Sequence, residues 1–150
     1  MRFVIQVVDN AKVDVDGKTV GSIDRGYLVL AGIGQGDTEE IADRMVRKLI
    51  QLRIFKDENG KTNLSVKDVG GQILMISQFT LYADMRRGNR PNFLNAAAPD
   101  EASRLFDHIV DLVRQEIDVV ETGEFGAHMI VSLVNNGPFT VILDSNDLKI

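Results

Sequence analysis

Residues 72–81, Gln-Ile-Leu-Met-Ile-Ser-Gln-Phe-Thr-Leu, are an apolar run that turns polar only near its end. The side-chain period of a strand puts Leu74, Ile76, Gln78, Thr80 and Tyr82 on one face. Ile73, Met75, Ser77, Phe79 and Leu81 take the other. With apolar residues on both faces, this segment reads as a buried central strand. Gln78 and Thr80 would then be same-face neighbours roughly 6.6 Å apart, with Ser77 joining them only through its backbone or a bulge. Two readings stand: the pair satisfies buried hydrogen bonds, or it opens a site. The arginine-bearing stretch that follows, Asp84 to Pro91, also requires an explanation.

Around this strand the chain alternates strand-like and helical segments. Residues 2–8 read as a strand, and Lys12–Val15 and Thr19–Ile23 flank Asp16-Gly17, a hairpin dipeptide. Tyr27–Ala31 is a continuous apolar strand. The glycine cluster Gly32-Ile33-Gly34-Gln35-Gly36-Asp37 fails the dinucleotide fingerprint, because Asp37 stands where the third glycine belongs. Asp37 with Glu40 instead matches a capping box, and Ile41, Met45, Val46, Leu49 and Ile50 predict a helix over about Thr38–Leu52. Ile54-Phe55 returns to strand, followed by an Asp57–Gly60 turn and an Asn63–Asp68 stretch that is irregular or a short helical turn.

Residues 84–98 read as a loop. Pro99 suits the first position of a helix to about Glu116, with Asp100 and Glu101 favourable to its dipole. His108 falls off the apolar stripe and is expected in solvent. Strands follow at Val119–Thr122, His128–Val134 and Phe139–Leu143. Asn136-Gly137 reads as a hairpin turn, although Pro138 also permits a cis peptide there. These patterns predict one α/β or α+β domain with a mixed sheet.

Composition excludes several chemistries. There is no cysteine, hence no disulfide, thiol nucleophile or thiolate metal site. His108 and His128 are the only histidines, so no metal and no cofactor is expected. No long apolar window suggests a membrane span, the N-terminus reads as a strand rather than a signal peptide, and a cytoplasmic location is expected. A net charge of −5 argues against general nucleic-acid coating, while leaving room for a local basic patch.

Three stretches together carry a resemblance: Ser77-Gln78-Phe79-Thr80-Leu81, Arg87-Gly88-Asn89-Arg90-Pro91-Asn92-Phe93 and Val134-Asn135-Asn136-Gly137-Pro138-Phe139-Thr140. In order and spacing they resemble the D-aminoacyl-tRNA deacylase family, as do Arg53-Ile54-Phe55 and Thr122-Gly123-Glu124-Phe125. The likeness runs from residue 1 to about 145. It implies a single α/β domain over residues 1–150. Its mixed, largely antiparallel sheet would be curled barrel-like, with two long helices packed outside. It further implies a homodimer that cleaves the ester of D-aminoacyl-tRNA, and of mischarged glycyl-tRNA, with the tRNA 3′ CCA end as partner and no DNA.

By the same resemblance Ser77, Gln78, Phe79 and Thr80 are the pocket floor and catalytic strand motif. Phe125 and Met129 lie near the terminal adenosine, and Gly137 and Pro138 are a chirality gate lent to the partner's pocket. Arg86, Arg87 and Arg90 are candidates for phosphate contact or are solvated loop charges. An aminoacyl ester is already activated, so backbone amides near Phe79–Thr80 holding the oxyanion, with the RNA's 2′-hydroxyl assisting water, would suffice. Thr80 as nucleophile is the rival, although no base is placed to activate it. The family usually has arginine where this chain has Val7, bracing the Gly-Pro carbonyls, and valine where it has Phe139. Packing by Phe139 is the expected substitute, and looser enantiomer rejection the expected cost. A non-catalytic RNA 3′-end binding module and a purely structural dimer are the alternatives.

Overall fold

The computed structural model describes residues 1–149. β1 (Arg2–Val15), β2 (Lys18–Ile23) and β3 (Gly26–Gly32) lead into α1 (Glu39–Gln51), and then come β4 (Phe55–Lys56) and β5 (Thr62–Leu64). The central strand β6 (Gln72–Ser77), a 3-10 turn at Phe79–Tyr82, α2 (Pro99–Glu116), β7 (Val120–Thr122) and β8 (Ile130–Asp144) complete it. The main sheet runs β2-β1-β3-β6-β7, with β8 on β1. Pairs involving β1 are antiparallel, whereas β3–β6 and β6–β7 are parallel. The sheet is therefore mixed, as expected. Gly21 of β2 sits so near β7 that a Cβ there would stand 2.7 Å from the Thr122 carbonyl oxygen. The two edges curl together barrel-like, and only a residue without a side chain fits at the seam.

Val8, Ala11, Val13, Ile23, Leu28, Leu74 and Ile76 fill the barrel. The larger core lies between the sheet and both helices: Phe3, Ile5, Tyr27 and Met75 meet Met45 and Leu49 of α1 and Leu105 and Ile109 of α2. Each fully buried Leu, Ile or Phe contributes about 1.5–3 kcal/mol, against about 1 kcal/mol for a helix cap. Burial of the amphipathic faces is thus what holds both helices in place.

Four local expectations are corrected. α1 is capped by Thr38, whose hydroxyl accepts the Ile41 N–H at 3.3 Å, rather than by Asp37. Asp37 instead accepts from the Met1 ammonium at 2.8 Å and from the Gly34 N–H at 2.7 Å. Residues 2–15 form one strand rather than two, because β1 trades β3 for β2 midway while keeping β8 along its length. His108 bonds Asp43 of α1 at 2.8 Å and is half-buried between the helices. The Asn136-Gly137 hairpin does not form: β8 runs straight through, because β1 offers it pairing on both sides.

Candidate active site

β6 stops at Ser77, and the chain winds into the 3-10 turn Phe79–Tyr82. The period-two expectation therefore fails from Gln78 onward. Gln78 Nε2 donates to the Thr80 hydroxyl across the turn, and Thr80 is exposed, which rules out a buried pair. The turn is seated by the strand beside it. The Gln78 N–H donates to the Ala31 carbonyl at 2.8 Å, and a Cβ on Gly32 would come within 2.9 Å of Leu81 Cβ. Glycine at that point lets the turn lie flat on β3.

The first N–H groups of a helical turn have no internal acceptor. Here Leu81 N–H reaches the Gln78 carbonyl and Ala83 N–H the Thr80 carbonyl, but among the described residues neither Phe79 N–H nor Thr80 N–H has a partner. Two adjacent main-chain donors are left unoccupied.

Beside them opens a cleft of about 490 Å³, lined by Ser77, Gln78 and Phe79 from the motif and by Phe93, Phe125, His128 and Met129 from the loops. Ala96, Ala97 and Ala102 form its small-residue wall. Phe79 and Phe93 meet edge to face with centroids 5.0 Å apart, and Phe125 leans on Phe106 at 6.4 Å. The Met129 sulfur lies where a Cβ on Gly123 would stand, so that glycine admits the thioether to the cleft. Among the described residues His128 is the only ionisable one in the lining. Such a surface stacks a flat ring and bonds an oxygen; it has no carboxylate for acid–base work.

Phe93 and His128 were assigned no role from sequence. Phe93 lies inside a quoted motif and His128 next to Met129, but which loop residues turn inward is set by loop packing. Thr80 stands outside the cleft lining, as do Gly137, Pro138 and the three arginines.

Arg86 forms a bidentate pair with Asp84 at 2.9 and 2.7 Å, holding that carboxyl at about 2. Asp84 also exchanges main-chain bonds with Asn92, closing the loop into a hairpin with Arg87 and Arg90 exposed toward its tip. Of the three arginines, Arg86 is already committed to a partner.

On β8, Asn135 pairs with Val8 and Thr140 with Gln6, so Asn136, Gly137, Pro138 and Phe139 bulge out opposite Val7 alone. The Gly137–Pro138 peptide is cis, and Gly137 has φ 141°, open to glycine alone among common residues. Phe139 packs against the core cluster that contains Val7. Hydrogen bonds hold the bulge as well: Asn136 Nδ2 donates to Asp9 at 2.7 Å, and Asn135 bonds both Phe139 and Thr140 at 2.9 Å. Directional bracing is therefore present without an arginine.

The fold and cleft define a single-domain α/β barrel whose site offers aromatic faces and main-chain donors in place of charged side chains. The family model described as D-Tyr-tRNA(Tyr) deacylase matches residues 4–144, and the chain belongs to that family. It is 55% identical to a D-aminoacyl-tRNA deacylase of Thermotoga petrophila over 148 residues, covering 99% of each chain. It is also 55% identical to one of Clostridium perfringens, covering 97% of each. Among solved structures, one titled c-Myc DNA Unwinding Element Binding Protein has a TM-score of 0.91 at 38% identity, covering 96% of this chain and 98% of that one. A probable eukaryotic D-amino acid tRNA deacylase shares the fold, with a TM-score of 0.83 at 20% identity over 95% of this chain and 97% of that one.

Proposed function

We propose that this protein hydrolyses the ester between a D-amino acid and the 3′ adenosine of tRNA, releasing free amino acid and tRNA. The observation that carries the reading is the pair of unoccupied N–H groups on Phe79 and Thr80 at the edge of an aromatic cleft. The adenine would stack among Phe79, Phe93 and Phe125, leaving the ester carbonyl beside the two amides. Water adds to that carbonyl, the amides hold the oxyanion, and the C–O bond to the ribose breaks with the proton passing to its 3′-oxygen. The terminal 2′-hydroxyl assists the water. Oxyanion donors of this kind contribute about 10²–10³ in kcat each, which an activated ester makes sufficient. Catalysis is thus assigned to the backbone of the Ser77–Thr80 motif rather than to its side chains.

Selection by handedness is assigned to Gly137 and Pro138. A bulge with no side chain at Gly137 presents main-chain acceptors to the substrate's α-amino group, and an L side chain then collides with it. Glycine has none, so glycyl-tRNA is a substrate too. The outer face of β8 exposes Ile130, Val134 and Ile142, which suits a homodimer interface that would carry the bulge into the partner's cleft. Arg87 and Arg90 would contact tRNA phosphates. The protein would act in the cytoplasm, where aminoacyl-tRNA is made.

Single-turnover hydrolysis of one tRNA charged with D-tyrosine, L-tyrosine or glycine tests this. Release of D-tyrosine and glycine, with L-tyrosine retained, is expected. Binding of all three without release would leave a non-catalytic RNA 3′-end module, and tighter binding of single-stranded DNA than of tRNA would sink both readings.

A further inference from the structure

We infer that Arg2, anchored by Asp144, is a positioning residue that holds the Phe79–Tyr82 turn in its oxyanion-binding geometry. The inference rests on the reading of that turn as the reaction site. Arg2 Nε donates to Asp144 Oδ2 at 2.8 Å while Nη1 donates to the Leu81 carbonyl at 2.8 Å. The guanidinium carbon also lies 5.2 Å from the centre of the Tyr82 ring. A planar guanidinium can fork between carboxylate and carbonyl and stack on a ring at once, whereas an ammonium cannot.

The turn needs such help. A single 3-10 turn has poor internal hydrogen-bond geometry, and the Leu81 N–H bond to the Gln78 carbonyl is long at 3.3 Å. Its N-terminal side is tied to β3 through Gln78 and Ala31. Its other side packs through Leu81 on Gly32 and through the Tyr82 ring on Gly34, and Arg2 adds the directional tie, a hydrogen bond to the Leu81 carbonyl. Two donors that are to hold one oxygen tolerate little rotation of either peptide, so pinning both ends of the turn limits that rotation. Asp144 is buried, and it is the register partner of Arg2 across β1 and β8. The clamp therefore links the turn to the strand that also carries the Gly137–Pro138 bulge. Neither residue lines the cleft.

The test pairs steady-state kinetics on D-tyrosyl-tRNA with amide hydrogen exchange, for wild type, Arg2→Met and Arg2→Lys. Arg2→Met should lower kcat about tenfold, with KM within about twofold. It should also speed exchange of the hydrogen-bonded Leu81 and Ala83 amides about tenfold while β3 amides keep their protection. Arg2→Lys, able to reach one partner but not both, should recover part of each loss, and it carries the test if Arg2→Met does not fold. Unchanged kcat, or a kcat loss matched by faster exchange throughout β3, would overturn the inference. A wild type that releases no D-tyrosine would instead overturn the functional reading beneath it.

Discussion

The side-chain carbonyl of Asn135 accepts the backbone N–H of Phe139 at 2.9 Å, closing a loop around Gly137 and Pro138. The same side chain donates to Thr140 at 2.9 Å, so one amide holds both the base and the far side of the bulge. Asn135→Ala removes both bonds and leaves Phe139 packing and the Asn136–Asp9 bond as the restraints. Hydrolysis of L-tyrosyl-tRNA should then rise about tenfold while the D-enantiomer changes by less than about twofold. An unchanged ratio would show that the Asn135 bonds do not position the bulge, and Val7→Arg with Phe139→Val would then be the informative pair.

Thr80 donates no proton to a base in this fold; its hydroxyl accepts from Gln78. Thr80→Ala keeps the backbone N–H and should retain activity within about tenfold. A loss of about four decades in kcat would restore Thr80 as the nucleophile.

Arg87 and Arg90 are exposed and outside every ion pair among the described residues, whereas Arg86 is held by Asp84. Neutralising Arg87 or Arg90 to Gln should reduce the salt slope of tRNA binding by about one. Arg86→Gln should change it by less than half as much, because its charge is already paired. Equal slopes for all three would remove the loop from the RNA-binding surface.

Tyr82 is pushed up to about 12, chiefly by burial and then by Asp37 and Asp144, and burial raises Tyr27 further. Tyr27 stacks on Phe55 with its hydroxyl unpartnered in the core. Both phenols favour the neutral form in the fold. That contribution is whole below the unfolded value of about 10 and is lost as pH rises through the folded values. With no tryptophan to interfere, absorbance at 295 nm should show almost no tyrosinate at pH 10.5 in the folded protein. Half-ionisation there, with native circular dichroism, would contradict the burial of both rings.

Apolar spacing located the two helices, their buried faces and the central strand, because each rests on a period of two or 3.6 within a few neighbouring residues, and the Asp16-Gly17 dipeptide marked its turn. The three family-like stretches likewise single out Ser77 to Thr80 and Gly137-Pro138 as site candidates. The end of β6 was not legible: Gln78-Phe79-Thr80 continues a strand pattern, whereas in the fold the segment is a turn with Leu81 close against Gly32 and its carbonyl bonded by Arg2, both distant in sequence.

Asn136-Gly137 is a hairpin signal by composition, yet it became a bulge because β1, more than 120 residues earlier by the Asn136–Asp9 separation of 127, supplies hydrogen-bond partners on both sides of it. The pairing of Arg86 with Asp84 and the inward turn of Phe93 and His128 belong to the same class of outcome. Local chemistry set which segments could be helix, strand or turn. Contacts between residues distant in the chain chose which donors stay free, which charges are spent and which rings line the cleft, since those depend on what packing brings within a few ångströms.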